Sequence, residues 1–131
     1  MASQAQPRVP KHAAPRILLV EDDDRQRSLL CGLIEEQGYA VEAVGSAALA
    51  VGAMRSAFDL LLTDVDLGSR LTGLDLVRFV RSVQPGLPVV VVSAREPAAA
   101  TTEASGPLVF LRKPYTSEAL LNAVLQLAPL D

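Results

Sequence analysis

The chain has 131 residues, half of them hydrophobic, which is enough for one domain with its own core. Fifteen acidic and twelve basic residues leave a net charge of −3, too small and too mixed to favour direct binding of nucleic acid, and aromatic residues make up only 4%. The single cysteine, Cys31, excludes an internal disulfide, and no apolar stretch approaches the about 20 residues that cross a bilayer. We therefore expect a cytoplasmic domain whose direct partners include neither a membrane nor a nucleic acid.

The first fifteen residues differ in composition from the rest of the chain. They contain three prolines with several alanines and glutamines, and little apolar surface beyond Val9. Such a segment buries too little apolar area to offset the entropy that ordering it would cost. We predict a flexible Pro/Ala-rich tail over residues 1–15 and one folded domain over residues 16–131.

Short apolar runs recur from residue 17 onward and predict strands. Four of them are bounded by charged residues, glycine or proline and are too short for helices, which is typical of strands buried on both faces: 17–20, 60–62, 89–92 and 108–111. A fifth run, 39–44, carries Glu42 in its middle. One side of that run is expected to meet water, so we predict an edge strand.

Between these runs, apolar residues recur at spacings of three and four, the period of a helix with one buried face. The predicted helices carry their apolar residues at Leu29, Leu30, Leu33 and Ile34, at 47–54, at Leu74, Val77 and Val80 with Leu76 and Val83, and at Leu121, Val124, Leu125 and Ala128. Gly38 is expected to end the first helix, and Ser46 and Ser117 to cap the second and the last. The segment 97–105 offers mainly alanine and threonine, so we expect only a short or mobile helix there.

This alternation predicts the fold class. Strands alternating with helices imply right-handed crossovers and a parallel sheet covered on both faces. We predict a doubly wound, flavodoxin-like α/β domain with five parallel strands in the order 2-1-3-4-5, which puts the charged second strand at an edge. Ligands of such sheets bind beyond the carboxyl ends of the strands, where the first and third strands are neighbours.

Chemically active side chains follow four of the strands at that end of the sheet. The acidic run 21–24 follows the first strand, Asp64 the third, Ser93 the fourth and Lys113 the fifth. Carboxylates brought this close repel one another unless a cation or proton lies between them, and an oxygen-only set suits Mg²⁺. Taken alone, the run 21–24 is also consistent with an acidic first turn of a helix, which the helix dipole favours.

Four motifs in this arrangement resemble those of a known family. They are Ile17-Leu18-Leu19-Val20-Glu21-Asp22-Asp23, Leu61-Leu62-Thr63-Asp64, Val92-Ser93-Ala94 and Lys113-Pro114-Tyr115. Their combination and spacing resemble the receiver domains of two-component response regulators, which have a chemotaxis-regulator-like fold. The resemblance runs from about residue 16 to residue 127.

The resemblance implies a role for each site residue. Asp64 would accept a phosphoryl group, and Ser93 and Lys113 would bind its oxygens. Mg²⁺ would be held by Asp22 directly, by Glu21 through water, by Asp64 and by the backbone carbonyl of Asp66. The bond between Lys113 and Pro114 would be cis.

The resemblance also implies a switch, with its partners. Phosphorylation would draw Ser93 inward, and Phe110 on the fifth strand would fill the space, changing a surface made by the segment 97–105, the fifth strand and the last helix. The phosphoryl donor would be a histidine kinase or a phosphotransfer protein, and the readout an unidentified downstream protein. The chain would be a regulatory domain rather than an enzyme, and either a monomer or a phosphorylation-dependent dimer.

The chain departs from the family pattern at Gly68, where a proline is usual, and at Gly106-Pro107, where glycine-alanine is usual.

Three other interpretations compete with a free-standing switch. The first is a degenerate receiver that acts as a phosphorylation-independent interaction module. Such a receiver is expected to lack some of the site residues, whereas this chain has them all. The chain is also consistent with a receiver portion related to hybrid histidine kinases. A small Mg²⁺-dependent phosphatase is suggested by the Asp64-x-Asp66 pattern, but such enzymes carry that pattern on their first strand, and here two strands precede it.

Overall fold

The computed structural model describes residues 13–95 and 106–130 of the chain. Five strands and four helices lie in these ranges, in the order β1 (Arg16–Val20), α1 (Asp24–Glu36), β2 (Ala40–Val44), α2 (Ala47–Ala53), β3 (Leu60–Asp64), α3 (Gly73–Val83), β4 (Val89–Ser93), β5 (Leu108–Arg112) and α4 (Ser117–Leu127). All neighbouring strands are parallel, and the sheet order is β2-β1-β3-β4-β5. The predicted fold class and strand order are confirmed.

The sheet separates two hydrophobic cores, because alternate residues of a strand face opposite sides. The α2/α3-side core contains Leu18, Val20, Ala47, Ala50, Met54, Phe58, Leu61, Leu67, Leu76, Val77, Val80, Leu87, Val89 and Val91. The α1/α4-side core contains Ile17, Leu19, Leu30, Ile34, Tyr39, Leu60, Leu62, Val90, Val92, Leu120, Ala123, Val124 and Ala128. β1, β3 and β4 contribute to both cores, which explains their nearly unbroken apolar runs.

Three local predictions need correction. The run 108–111 was predicted to be buried on both faces, but β5 lies at an edge of the sheet and its side chains are only half-buried. Leu29, Val83 and Leu125 were placed on the apolar faces of α1, α3 and α4, but they are 62%, 49% and 39% exposed. In α1 the core-facing residues are Leu30 and Ile34, with Cys31 and Leu33 partly buried beside them. The N-cap of α4 is Thr116 rather than Ser117, since the Thr116 hydroxyl accepts the Ala119 N–H.

The remaining boundaries follow the sequence signals. Ser46 caps α2 as predicted, accepting the N–H of Leu49, and α1 ends just before Gly38. At the start of the domain, Pro15 accepts a hydrogen bond from Ala40 N, 3.0 Å away, so the chain is already tied to β2 there. Residues 1–12 of the predicted tail and the predicted helix 97–105 lie outside the described residues. None of the helices in the described ranges is long and apolar enough to span a bilayer.

Candidate functional site

The carboxyl ends of the strands bring the predicted site residues to one edge of the sheet. Asp64 and Ser93 are the last residues of β3 and β4, while Glu21 and Lys113 directly follow β1 and β5. Backbone hydrogen bonds continue the sheet past the strand ends: Glu21 N donates to Val44 O and Lys113 N to Ser93 O. The positions of these four residues are therefore set by the register of the strands.

Asp64 is held from two sides. The residue is only 6% exposed, and its Oδ2 lies 2.5 Å from the Lys113 Nζ. Its Oδ1 accepts a hydrogen bond of 3.0 Å from the backbone N–H of Asp66. These two contacts fix the orientation of a carboxylate that is almost completely shielded from solvent.

Glu21 is the most buried acid of the loop that follows β1. Burial raises the pKa of its carboxyl above the ordinary value, with the negative charges of Asp64 and Asp22 acting in the same direction. Its Oε2 accepts the N–H of Asp23, whose own side chain caps α1 by accepting the N–H of Gln26. The acidic run 21–24 therefore has both of the roles considered from the sequence. Asp23 caps the helix, and Glu21 lies close enough to Asp64 for their charges to interact.

Arg27 is a supporting residue that sequence patterns did not identify. Its Nη1 donates to the backbone carbonyl of Glu21 at 2.8 Å, and its Nη2 pairs with Asp24 at 2.6 Å. The guanidinium therefore fastens the end of β1 to the first turn of α1. The sequence carries no sign of this contact, because it depends on how α1 packs beside β1 and β2.

The charges around the site are unbalanced. One cavity at this edge is lined by Glu21, Asp22, Asp23, Arg25, Gln26, Asp64, Asp66, Ala94 and Lys113. Partial burial lowers the pKa of the Lys113 amine, but the hydrogen bond to Asp64 and the charges of Asp64 and Glu21 outweigh it and raise that pKa overall. Five carboxylates against two cations leave an excess of negative charge that a bound cation would neutralise.

The donor set fits Mg²⁺. Within residues 13–95 and 106–130, no three His, Cys, Asp or Glu side chains are arranged to hold a metal by themselves. Mg²⁺ does not need such a group, since it keeps several waters and takes one or two carboxylates together with substrate phosphate oxygens. The cavity offers oxygen donors only, from Glu21, Asp22 and Asp64 and from the loop that contains Asp66.

Ser93 and Phe110 lie behind this cavity rather than on its wall. Ser93 is 3% exposed, and its hydroxyl accepts the N–H of Arg95 at 3.1 Å. Phe110 is half-buried against the α2/α3-side core and pairs with Val91, two residues before Ser93 on β4. The structure thus gathers Glu21, Asp22, Asp64, Asp66 and Lys113 around one cavity. Ser93 is buried at the end of the strand next to Asp64, and Phe110 lies on the strand beyond it. The peptide bond between Lys113 and Pro114 is cis, as the resemblance implies.

Known proteins are similar to this chain in sequence and in fold. The chain is 31% identical over 116 residues to the transcriptional regulatory protein GlrR of Escherichia coli K12, covering 86% of this chain and 26% of GlrR. It is 30% identical over 112 residues to the response regulator receiver protein CpdR of Brucella abortus, covering 83% of this chain and 92% of CpdR. The chain therefore spans about a quarter of the first protein and nearly all of the second.

Solved structures agree with these relatives. A response regulator receiver protein from Sinorhizobium medicae superposes with a TM-score of 0.78 at 30% identity, covering 88% of this chain and 94% of its own. A CheY-like receiver domain from Methanospirillum hungatei has the same fold, with a TM-score of 0.79 at 23% identity and coverage of 86% and 92%. The model of the response regulator receiver domain family matches residues 17–125, which include the whole site. The chain belongs to the receiver domains of two-component response regulators.

Proposed function

We propose that this chain is a signalling switch that accepts a phosphoryl group on Asp64 from a histidine kinase or a phosphotransfer protein. The observation that carries the proposal is the pairing of the buried Asp64 carboxylate with Lys113 Nζ inside an otherwise acidic cavity. Mg²⁺ bound there would neutralise charge on the transferring phosphoryl oxygens. Its ligands would be Asp22, Glu21 through water, Asp64 and the backbone carbonyl of Asp66.

The chain's own residues would carry out the remaining steps. An Asp64 carboxylate oxygen attacks the phosphorus in line, a P–O bond forms, and the P–N bond to the donor imidazole breaks with its electron pair passing to that nitrogen. Lys113, whose raised pKa keeps it protonated, moves from the free carboxylate to a phosphoryl oxygen. Ser93 donates its hydroxyl hydrogen to another phosphoryl oxygen.

The same step would alter the partner-binding surface. When Ser93 turns toward the phosphoryl group it gives up its bond to Arg95 N, and Phe110 moves into the space it leaves. Phe110 is suited to this because it lies in a half-buried edge strand, where few neighbours must give way. The surface that changes would comprise β5, α4 and the segment 97–105. A downstream protein or a second phosphorylated copy of the chain would bind to it.

Intact mass spectrometry after incubation with acetyl phosphate and Mg²⁺ tests the acceptor. We expect one labile phosphoryl group on the wild type and none on Asp64→Asn. Asp59→Asn is a matched control, because Asp59 lies at the opposite end of β3 and asparagine keeps an acceptor for the Arg16 N–H. Labelling of Asp64→Asn would refute the acceptor assignment, and an unlabelled wild type would favour a phosphorylation-independent interaction module.

The metal ligand is tested separately. In Asp22→Ala, the dependence of phosphorylation on Mg²⁺ should be lost or shifted to far higher concentrations, because Asp22 is the proposed direct ligand. Glu36→Ala serves as the control, since Glu36 is an exposed acid at the opposite end of α1. An Asp22→Ala protein with the wild-type Mg²⁺ titration would remove Asp22 from the metal site.

A further inference from the structure

We propose that Gly68 is a positioning residue for the Mg²⁺ ligand Asp22. Its missing side chain leaves the room in which the Asp22 carboxylate rests. The inference depends on the Mg²⁺ site proposed above and adds to that site a residue that does not itself bind the metal. It concerns the loop that leads from Asp64 toward α3.

Successive residues of this loop are held in different directions. The Asp66 carboxylate turns outward to Arg95, and Leu67, only 4% exposed, packs into the α2/α3-side core. Gly68 then takes the left-handed conformation, with φ +68°. The buried Leu67 fixes the course of the backbone, so Gly68 is held close to the loop that follows β1.

The close approach is to Asp22. A Cβ placed on Gly68 would lie 2.9 Å from Asp22 Oδ2, closer than a methyl carbon and a carboxylate oxygen approach one another. In the described part of the chain, no hydrogen bond or ion pair holds the Asp22 carboxylate in place. Its position is therefore set by the shape of the surface that it rests against, and Gly68 is part of that surface.

A side chain at position 68 would displace the ligand without disrupting the fold. Asp22 is exposed, and its Oδ2 is the free end of a rotatable side chain, so it yields by turning about its side-chain bonds. The carboxylate would then point away from the position in which it faces the cavity. The effect would fall on metal affinity much more than on folding, because the clash involves no backbone atom.

Gly86 provides a matched control for the backbone strain. Its φ is +82°, close to that of Gly68, and a Cβ placed on it meets nothing within 4 Å. It lies between α3 and β4, outside the residues that line the acidic cavity. Gly86→Ala therefore imposes a similar left-handed strain on an alanine, but contacts no metal ligand.

The experiment is a calorimetric Mg²⁺ titration of the unphosphorylated wild type, Gly68→Ala and Gly86→Ala, with thermal unfolding of all three. Both variants should unfold at similarly lowered temperatures. Only Gly68→Ala should bind Mg²⁺ more weakly, by about tenfold, the usual scale for residues that orient a metal ligand. Acetyl phosphate labelling of Gly68→Ala should recover when Mg²⁺ is raised to saturate the weakened site.

Each other outcome contradicts a different claim. Equal Mg²⁺ affinity in the wild type and Gly68→Ala would overturn the positioning role while leaving the Mg²⁺ site intact. Equal weakening in both variants would overturn it too, because backbone strain alone would then account for the loss. Absence of Mg²⁺ binding by the wild type would overturn the proposed metal site itself, and the inference about Gly68 with it.

Discussion

Arg95 Nη2 lies 2.8 Å from Asp66 Oδ1, in an ion pair that joins the loop after β4 to the loop after β3. The pair spans the edge of the sheet next to Asp64, which is bonded to the Asp66 backbone. Both side chains are more than half exposed, at 72% and 56%, so the pair contributes less than about 1 kcal/mol to stability. Its consequence is expected in the reactivity of the site instead.

We predict that the ion pair slows loss of the phosphoryl group. The two side chains would hinder the water that approaches in line, and the Asp66 carboxylate would disfavour a hydroxide-like attacker. The Asp66→Ala/Arg95→Ala double variant should therefore release phosphate faster than the wild type at equal Mg²⁺. Arg78→Ala, which breaks the exposed pair with Asp75 on α3, is the control and should leave the rate unchanged. Equal release rates in the double variant and the wild type would eliminate this role.

Gly73 determines how closely α3 approaches the acceptor. A Cβ at this position would lie 2.0 Å from the backbone oxygen of Asp64, and neither atom can move without shifting a helix or a strand. We expect Gly73→Ala to lower the free energy of unfolding by about 3 kcal/mol, at the upper end of the cost of overpacking. Gly32→Ala should raise it by about 1 kcal/mol, because Gly32 lies within α1 with nothing near its Cβ position. Urea denaturation measures both, and a harmless Gly73→Ala would show that α3 is free to move.

Cys31 is predicted to be a packing residue. It is half-buried and packs against the α1/α4-side core, and burial raises the pKa of its thiol, with the hydrogen-bonded carboxylate of Glu35 acting in the same direction. Cys31→Ala should cost about 1 kcal/mol of stability and leave Asp64 phosphorylation intact. At neutral pH the thiol should react more slowly with a disulfide reagent than the thiol of an unstructured peptide. A folded Cys31→Ala protein that no longer accepts phosphate would contradict this role.

The capping box at the start of α3 predicts a dependence of stability on pH. The Thr72 N–H donates to Asp75 Oδ2 at 3.0 Å and, with Arg78 nearby, lowers the pKa of the Asp75 carboxyl below its ordinary value of 3.8. A lowered pKa in the folded state stabilises the protein above the ordinary pKa, and that stabilisation is lost as the pH falls through the lowered value. The wild type should therefore be more stable than Asp75→Asn at neutral pH, and the difference should shrink as the pH falls below 3.8 and through the lowered pKa. A difference that is independent of pH would exclude the charge as its source.

The proposed boundary of the folded domain is testable by truncation. Deletion of residues 1–12 leaves Pro15, whose carbonyl accepts the Ala40 N–H at the start of the sheet. The temperature of unfolding should stay nearly unchanged, because apolar residues are sparse in the deleted segment. Deletion of residues 1–15 is the comparison and should lower it, since that hydrogen bond is lost. A drop of several degrees in the shorter deletion would mean that the tail packs on the domain.

Much of the fold follows from patterns that act over short distances. The short apolar runs and the helical spacings predicted the order of strands and helices, because a parallel sheet covered on both faces requires those periods. Cap assignment succeeded at Ser46 and missed by one residue at Thr116, where two adjacent hydroxyl residues compete. Leu29 was misassigned because four apolar residues lie within two turns of α1, and only packing selects those that face the sheet.

The meeting of the site residues was also predictable from the sequence, since parallel strands must bring Glu21, Asp64, Ser93 and Lys113 to one edge of the sheet. The contact distances within the site could not be predicted from the sequence, because they arise between segments that lie in different loops and elements. Arg27 fastens the carbonyl of Glu21, Gly73 touches the backbone of Asp64, and Gly68 lies against Asp22 only once β1, β3 and the helices have packed together. Residue types and their spacing are properties of the chain, whereas contacts of a few ångströms depend on where packing places each backbone.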